Sequence, residues 1–115
     1  MVWSEGRTGP TTMLIDESRL STLISDVGAD SLGELLDIFE RETGQKIASL
    51  AACPPERLSA AYHFVKGSAQ NLGLAELAAL CRQAEHDAAR GVIPDAARVR
   101  DCFHASFAAL RARCD

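Results

Sequence analysis

The chain has 115 residues, of which 47% are hydrophobic and 24% are charged, and its formal net charge is −4. A chain of this length can bury one hydrophobic core, so we expect one globular domain. Because the net charge is negative and no run of basic residues occurs, electrostatic binding to nucleic acid or to an anionic membrane is disfavoured.

The N-terminal segment differs in composition from the rest of the chain. Residues 1–12 combine glycine, proline and threonine without any hydrophobic periodicity, which predicts a flexible arm followed by a helical domain over residues 13–115. Asp16 is a typical N-cap residue and Gly28 a typical helix end, so a short first helix is predicted between them. Its apolar residues recur at helical intervals: Leu20, Leu23, Ile24 and Val27.

A second helix is predicted to begin near Asp30 or Ser31 and to end at the sequence Cys53-Pro54-Pro55. Gly44 is expected to interrupt this helix and to bend it. The apolar positions that define the helix are Leu32, Leu35, Leu36, Phe39, Ile47 and Leu50.

Three further helices complete the predicted fold. They run from about Pro55 to Asn71, from about Leu74 to Arg90, and from Asp95 to the C-terminal end, and glycine or proline separates them. Four long amphipathic helices with short connections predict an all-α fold, an antiparallel up-down four-helix bundle with the short first helix added at one end. The apolar positions on the last two helices are Leu74, Leu77, Ala78, Cys81, Ala84, Ala88, Val99, Cys102 or Phe103, Phe107, Leu110 and Cys114, and Glu85 falls on the same stripe.

The compartment is predicted from the cysteines and the N-terminus. No C-x-x-C spacing links the four cysteines, and an even count leaves two disulfides possible in principle. However, the N-terminus lacks the apolar region of a signal peptide, and no stretch approaches the ~20 apolar residues that cross a bilayer. We therefore expect reduced thiols in a cytoplasmic protein without a membrane partner.

The third helix places one histidine opposite its apolar stripe. At about 100° per residue, His63 lies about 160° from Val65, the centre of the stripe. Lys66 projects beside His63 on the same surface, because residues three positions apart are neighbours on a helix. The other members of the stripe are Leu58, Ala61, Tyr62, Ala69 and Leu72. The pattern predicts an imidazole in water with a cation next to it.

Gly67 follows one turn after His63. A glycine inside a helix costs about 1 kcal/mol relative to alanine, so the missing side chain suggests that another molecule approaches His63 closely. The alternative is that this glycine is merely tolerated or marks a kink. Gln70, one turn further, is either a hydrogen-bonding group at the rim of the site or an ordinary solvated side chain.

The sequence His63-Phe64-Val65-Lys66-Gly67-Ser68-Ala69, continued by Asn71-Leu72-Gly73-Leu74 and then Leu77, Cys81 and Glu85, resembles the histidine-containing phosphotransfer (HPt) domains of multistep phosphorelays. Two positions depart from the family pattern. Asn71 replaces a residue that is often small or apolar in the family, and Phe64 is bulkier than its place on the helix flank requires. Phe64 is therefore interpreted as part of an apolar docking surface around His63.

The resemblance implies a phosphoryl carrier rather than an independent enzyme. His63 would carry the group between receiver-domain aspartates of a hybrid sensor histidine kinase or of response regulators, and Lys66 would stabilise it. Phe64, Gly67 and Gln70 would contact the partner. The chain is expected to bind no cofactor and no metal, since the Mg²⁺ that assists transfer belongs to the receiver domain.

Two other functions are open to a chain of this kind. A helical-bundle adaptor would bind a receiver domain or a partner helix without chemistry. A metal-binding bundle would need histidines and cysteines to converge, and their spacing does not support it. His86 and His104 are predicted to be surface histidines without a chemical role.

Overall fold

The computed structural model describes residues 15–114, without the side chains of Ala29, Arg113 and Cys114. These residues form α1 (Glu17–Val27), α2 (Ala29–Ala48), a 3-10 turn (Ser49–Ala52), α3 (Pro55–Leu72), α4 (Ala75–Ala89) and α5 (Ala96–Cys114). The predicted all-helical class is confirmed within this range. The predicted arm at residues 1–12, the domain boundary at residue 13 and the core position of Cys114 lie outside the described residues.

The core lies between α2, α3, α4 and α5. α3 and α4 form the longest interface, α2 contacts both α3 and α5, and α4 contacts α5. The apolar stripe predicted on α3 is buried in full and consists of Leu58, Ala61, Tyr62, Val65, Ala69 and Leu72. Burying this stripe holds α3 in one rotational setting. Its opposite face, which carries His63, is therefore directed away from the core.

Gly73 connects the end of α3 to the start of α1. It ends α3 in the left-handed conformation, with φ of +75°, which costs glycine little and other residues more. Its carbonyl accepts a hydrogen bond of 2.6 Å from the amide of Asp16, and a Cβ at this position would lie 3.0 Å from the Asp16 carbonyl oxygen. The Asp16 side chain accepts from the Arg19 amide and caps α1, as predicted.

Gly44 does not interrupt α2, and this prediction is wrong. α2 is continuous from Ala29 to Ala48. A Cβ at Gly44 would lie 3.5 Å from the ring of Phe103 on α5. Gly44 thus lies where an aromatic ring packs directly on the helix.

The buried thiols behave as part of the core. Cys81 is fully buried in the α4 stripe, and burial, followed by the influence of Cys102, raises the pKa of its thiol to about 12. A thiol with such a pKa stays protonated and is a weak nucleophile. Cys53, Cys81 and Cys102 are free cysteines in the structure.

Between residues 15 and 114, none of the helices combines the length and the apolar character that a membrane span requires.

Candidate functional site

His63 is held at the surface of α3. Its side chain is 66% exposed, whereas Val65, two residues later, has no exposed surface. The imidazole therefore lies on the side of α3 that the helical pattern predicted. A ring placed in this way is accessible to another molecule from solution.

A carboxylate on α4 bridges His63 and Lys66. Glu85 Oε2 lies 2.9 Å from His63 Nδ1, and Glu85 Oε1 lies 2.7 Å from Lys66 Nζ. The Ser59 hydroxyl donates to the carbonyl of Glu85, 3.3 Å away, and links α3 to α4 one turn before the histidine. The site is therefore built across the longest helix interface of the protein, where its parts are held by the core on both sides.

The bridge selects one tautomer of the histidine. An ionised carboxylate can only accept hydrogen bonds, so in the neutral imidazole the proton facing Glu85 is on Nδ1. The lone pair is then on Nε2 of His63. No residue of the described range hydrogen bonds to Nε2, and the side chain is 66% exposed.

Glu85 is kept ionised by its two partners. The hydrogen bond from Lys66 lowers the pKa of this carboxyl most, and the hydrogen bond from His63 lowers it further, against partial desolvation. Because the folded pKa is depressed, the ion pair stabilises the fold above the ordinary carboxyl pKa, and this contribution is lost as the pH falls through the folded pKa. At neutral pH the bridge is therefore intact.

Lys66 is less available than its position beside His63 suggests. Its side chain is only 18% exposed, and its ammonium group contacts Oε1 of Glu85. That oxygen is fully buried, and the Lys66 ammonium, 2.7 Å away, is the polar group that compensates its charge. A role of Lys66 toward a phosphoryl group, as the resemblance implies, remains a prediction.

Gly67 has no packing partner. No atom outside its own helix surroundings lies within 4 Å of the position that a Cβ would occupy. Internal packing therefore does not explain the glycine, in contrast to Gly44. The open space lies one helical turn from His63, on the same surface.

The two other predicted contact residues are exposed on either side of this surface. Phe64 is 49% exposed, and the ammonium of Lys46 on α2 lies 5.2 Å from the centre of its ring, within cation–π range. Gln70 is exposed and lines a hollow at the other end of α3. The structure thus exposes both residues, Phe64 next to His63 in the sequence and Gln70 two turns further along α3, and their contact with a partner remains a prediction.

The remaining histidines are outside this arrangement. His86 and His104 are both exposed, and His104 packs edge-on against Phe103, with 5.2 Å between ring centres. Neither has a carboxylate bridge of the kind that holds His63, as far as the described residues show.

Glu85 belongs to the motif that carries the family resemblance, but the sequence predicts no role for it at the site. The helical pattern places it on the apolar stripe of the fourth helix, as the one charged residue there. A carboxylate on a buried stripe needs a partner, and this signal could have directed attention to a cation on the facing helix. Which cation it meets depends on the register between α3 and α4, which the sequence pattern does not contain.

The comparisons with known proteins agree with this geometry. The family model of the Hpt domain matches residues 34–113. The chain is also similar to the crystal structure of histidine-containing phosphotransfer protein B (HptB) from Pseudomonas aeruginosa PAO1, with a TM-score of 0.71 and 27% sequence identity over 93% of each chain. The comparison with curated proteins found no match. The resemblance noted in the sequence is confirmed, and the chain belongs to the Hpt domain family, the histidine phosphotransfer proteins of phosphorelays.

Proposed function

We propose that His63 is the residue that carries the phosphoryl group, between receiver-domain aspartates of a hybrid sensor kinase and response regulators. The observation that supports this most is the exposed imidazole whose Nδ1 is bound by Glu85. Such a ring has a fixed orientation, a defined tautomer and a free nucleophilic nitrogen, which are the requirements for nucleophilic transfer.

The transfer step follows from this geometry. The lone pair on Nε2 of His63 attacks the phosphorus of the partner's aspartyl phosphate, and the bond from phosphorus to the aspartate oxygen breaks. The electron pair of that bond leaves with the partner's carboxylate. The Nδ1 proton stays in place, so the phosphorylated ring carries a positive charge that Glu85 faces at hydrogen-bond distance. The reverse sequence delivers the group to a second receiver.

This chain contributes the nucleophile, and we infer that the partner contributes the rest. As in the family, the receiver domain would supply the aspartate and the Mg²⁺, and this chain would act as a carrier without catalysing the reaction by itself. We further infer that α2 to α5 form an antiparallel up-down bundle with α1 added at one end, and that the protein acts in the cytoplasm.

Glu85→Gln is expected to slow phosphoryl transfer about tenfold, the lower end of the range known for groups that orient a functional histidine through its other ring nitrogen. Glutamine keeps the shape of the side chain but can hydrogen bond to either tautomer of His63. The lone pair is therefore no longer confined to Nε2. Single-turnover transfer from a phosphorylated receiver measures the rate. The ¹⁵N shifts of His63 report the tautomer directly, and an unchanged tautomer in the variant would contradict the positioning role.

Lys66→Ala is expected to shorten the lifetime of the phosphorylated state or to slow its formation several-fold, as for the loss of one charge-assisted contact. It also leaves Oε1 of Glu85 without compensation, so the pKa of Glu85 rises and thermal stability falls. Lys66→Arg is the matched control, since it keeps the charge. Equal lifetimes and equal formation rates for Lys66→Ala and wild type would remove the proposed role.

The proposed function is tested by locating the label. The protein is mixed with receiver domains carrying a radioactive aspartyl phosphate, and the labelled product is treated with acid and with base. We expect an acid-labile and base-stable label that mass spectrometry assigns to His63. Binding of the receivers without transfer of label to any residue would refute the proposal and favour the adaptor.

A further inference from the structure

The exposed face of α3 that carries His63, Gly67 and Gln70 is called the His63 surface below. Four cations without a carboxylate partner lie around it. They are Lys46 on α2, Arg57 on α3, Arg19 on α1 and Arg82 on α4. None of them is within ion-pair distance of an acidic group in the part of the chain that the structure describes. They occur in two hollows, one on each side of His63.

The first hollow, the α2 groove, is lined by Lys46, Arg57, Phe64, Ala60 and Pro54, among others, and has a volume of about 740 Å³. Apart from its two cations, its lining residues are mostly apolar. Phe64 follows His63 directly in the sequence, so the groove lies on the flank of α3 next to the face that carries His63. Arg57 is six residues before His63, about 9 Å along the helix at 1.5 Å per residue.

The second hollow, the α4 groove, lies toward the other end of α3 and has a volume of about 260 Å³. Arg19 and Arg82 line it together with Asp16, whose carboxylate caps α1, and with Gln70, which is two turns after His63 on the same face of α3. The Arg19 side chain donates to the carbonyl of Asn71 and has no carboxylate partner. Arg82 is exposed and lies one turn before Glu85 on α4.

Of the other cations on the described surface, three are paired with carboxylates, whereas Arg41 and Arg98 are not within ion-pair distance of one. These pairs are Arg90 with Asp87, Arg100 with Asp101, and Arg111 with Asp37 and Glu40. The His63 surface carries few opposing charges that are free. Glu85 is bound to His63 and Lys66, the Asp16 carboxylate caps α1, and Glu56 lies at the start of α3. A protein with a net charge of −4 thus keeps unpaired positive charge on both sides of its reactive histidine.

We propose that the α2 groove and the α4 groove receive acidic side chains of the partner's receiver domain, on both sides of its phosphoacceptor. This inference rests on the proposed function of His63. Opposite charges across a polar rim mainly accelerate encounter and select the partner, and the negative remainder of the chain disfavours approach by any other face. The grooves therefore orient the receiver so that its phosphoaspartate meets Nε2.

The test reverses one charge in each groove. Arg57→Glu and Arg82→Glu are compared with Arg98→Glu, which makes the same change of net charge at an exposed arginine in a cavity between α4 and α5. The probe is the receiver domain that transfers its phosphoryl group fastest to the wild-type protein. The second-order rate constant for transfer and the first-order rate at saturating receiver are measured at about 50 mM and about 500 mM salt, since salt screens such contacts. Circular dichroism confirms that each variant is folded.

We expect each groove variant to lower the second-order constant about fivefold or more at low salt, a modest part of the range known for electrostatic steering. The difference should shrink at high salt, and the saturating rate should stay near that of the wild type. Arg98→Glu should change the constant less than about twofold, because it alters only the total charge. Equal constants for the groove variants and Arg98→Glu, while wild type transfers normally, would overturn this inference alone. Absence of transfer by the wild type would refute the proposed function itself.

Discussion

Replacing His63 with glutamine is expected to abolish phosphoryl transfer to this protein. An amide side chain has no nitrogen lone pair that can attack phosphorus, so no covalent intermediate forms. The helix should remain intact, because the His63 side chain is 66% exposed and lies outside the core. Transfer from a labelled receiver, followed by gel analysis, measures the effect, and thermal unfolding checks the fold.

Two matched variants make this result specific. His86→Gln and His104→Gln remove exposed histidines that lack the bridge to a carboxylate, and both should transfer at the wild-type rate. Label that persists in the His63 variant would show that another residue accepts the group. Loss of label in the His86 variant alone would place the reactive histidine on α4 rather than α3.

The rotational setting of α3 could be predicted from sequence because it follows from one periodicity. An apolar stripe with a period of 3.6 residues determines which face is buried, and every predicted member of the stripe from Leu58 to Leu72 is buried. The exposure of His63 follows from the same pattern. No knowledge of the other helices is needed to place a residue opposite such a stripe.

Contacts between helices could not be predicted in the same way. Gly44 was expected to break α2, but it meets the ring of Phe103, a residue far away in the sequence. Glu85 looked like an exception within a stripe until the register of α3 against α4 placed it between His63 and Lys66. In both cases tertiary packing gives the residue its role, and local pattern carries no information about it.

Gly67→Gln is expected to slow phosphoryl transfer by about ten- to a hundredfold, the loss that follows when reacting groups are displaced by around 1 Å. No atom of another element lies near a Cβ at this position, so a long side chain would extend over the surface next to His63. A partner's loop would meet it before the phosphorus came within reach of Nε2. Glutamine is chosen because it adds bulk without charge and leaves the electrostatics of the two grooves unchanged.

The same substitution should not destabilise the protein, and this separates docking from folding. Glutamine and alanine both have better helix propensity than glycine, by up to about 1 kcal/mol. A Cβ at this position would not clash with any neighbouring atom. Gly67→Ala is therefore the matched control: its melting temperature should rise by a few degrees, while its single methyl group leaves transfer close to the wild-type rate. Wild-type transfer by Gly67→Gln would show that the space is not used by the partner. A lowered melting temperature in both variants would instead show that the backbone at this position requires glycine for stability, and that the glycine serves folding rather than docking.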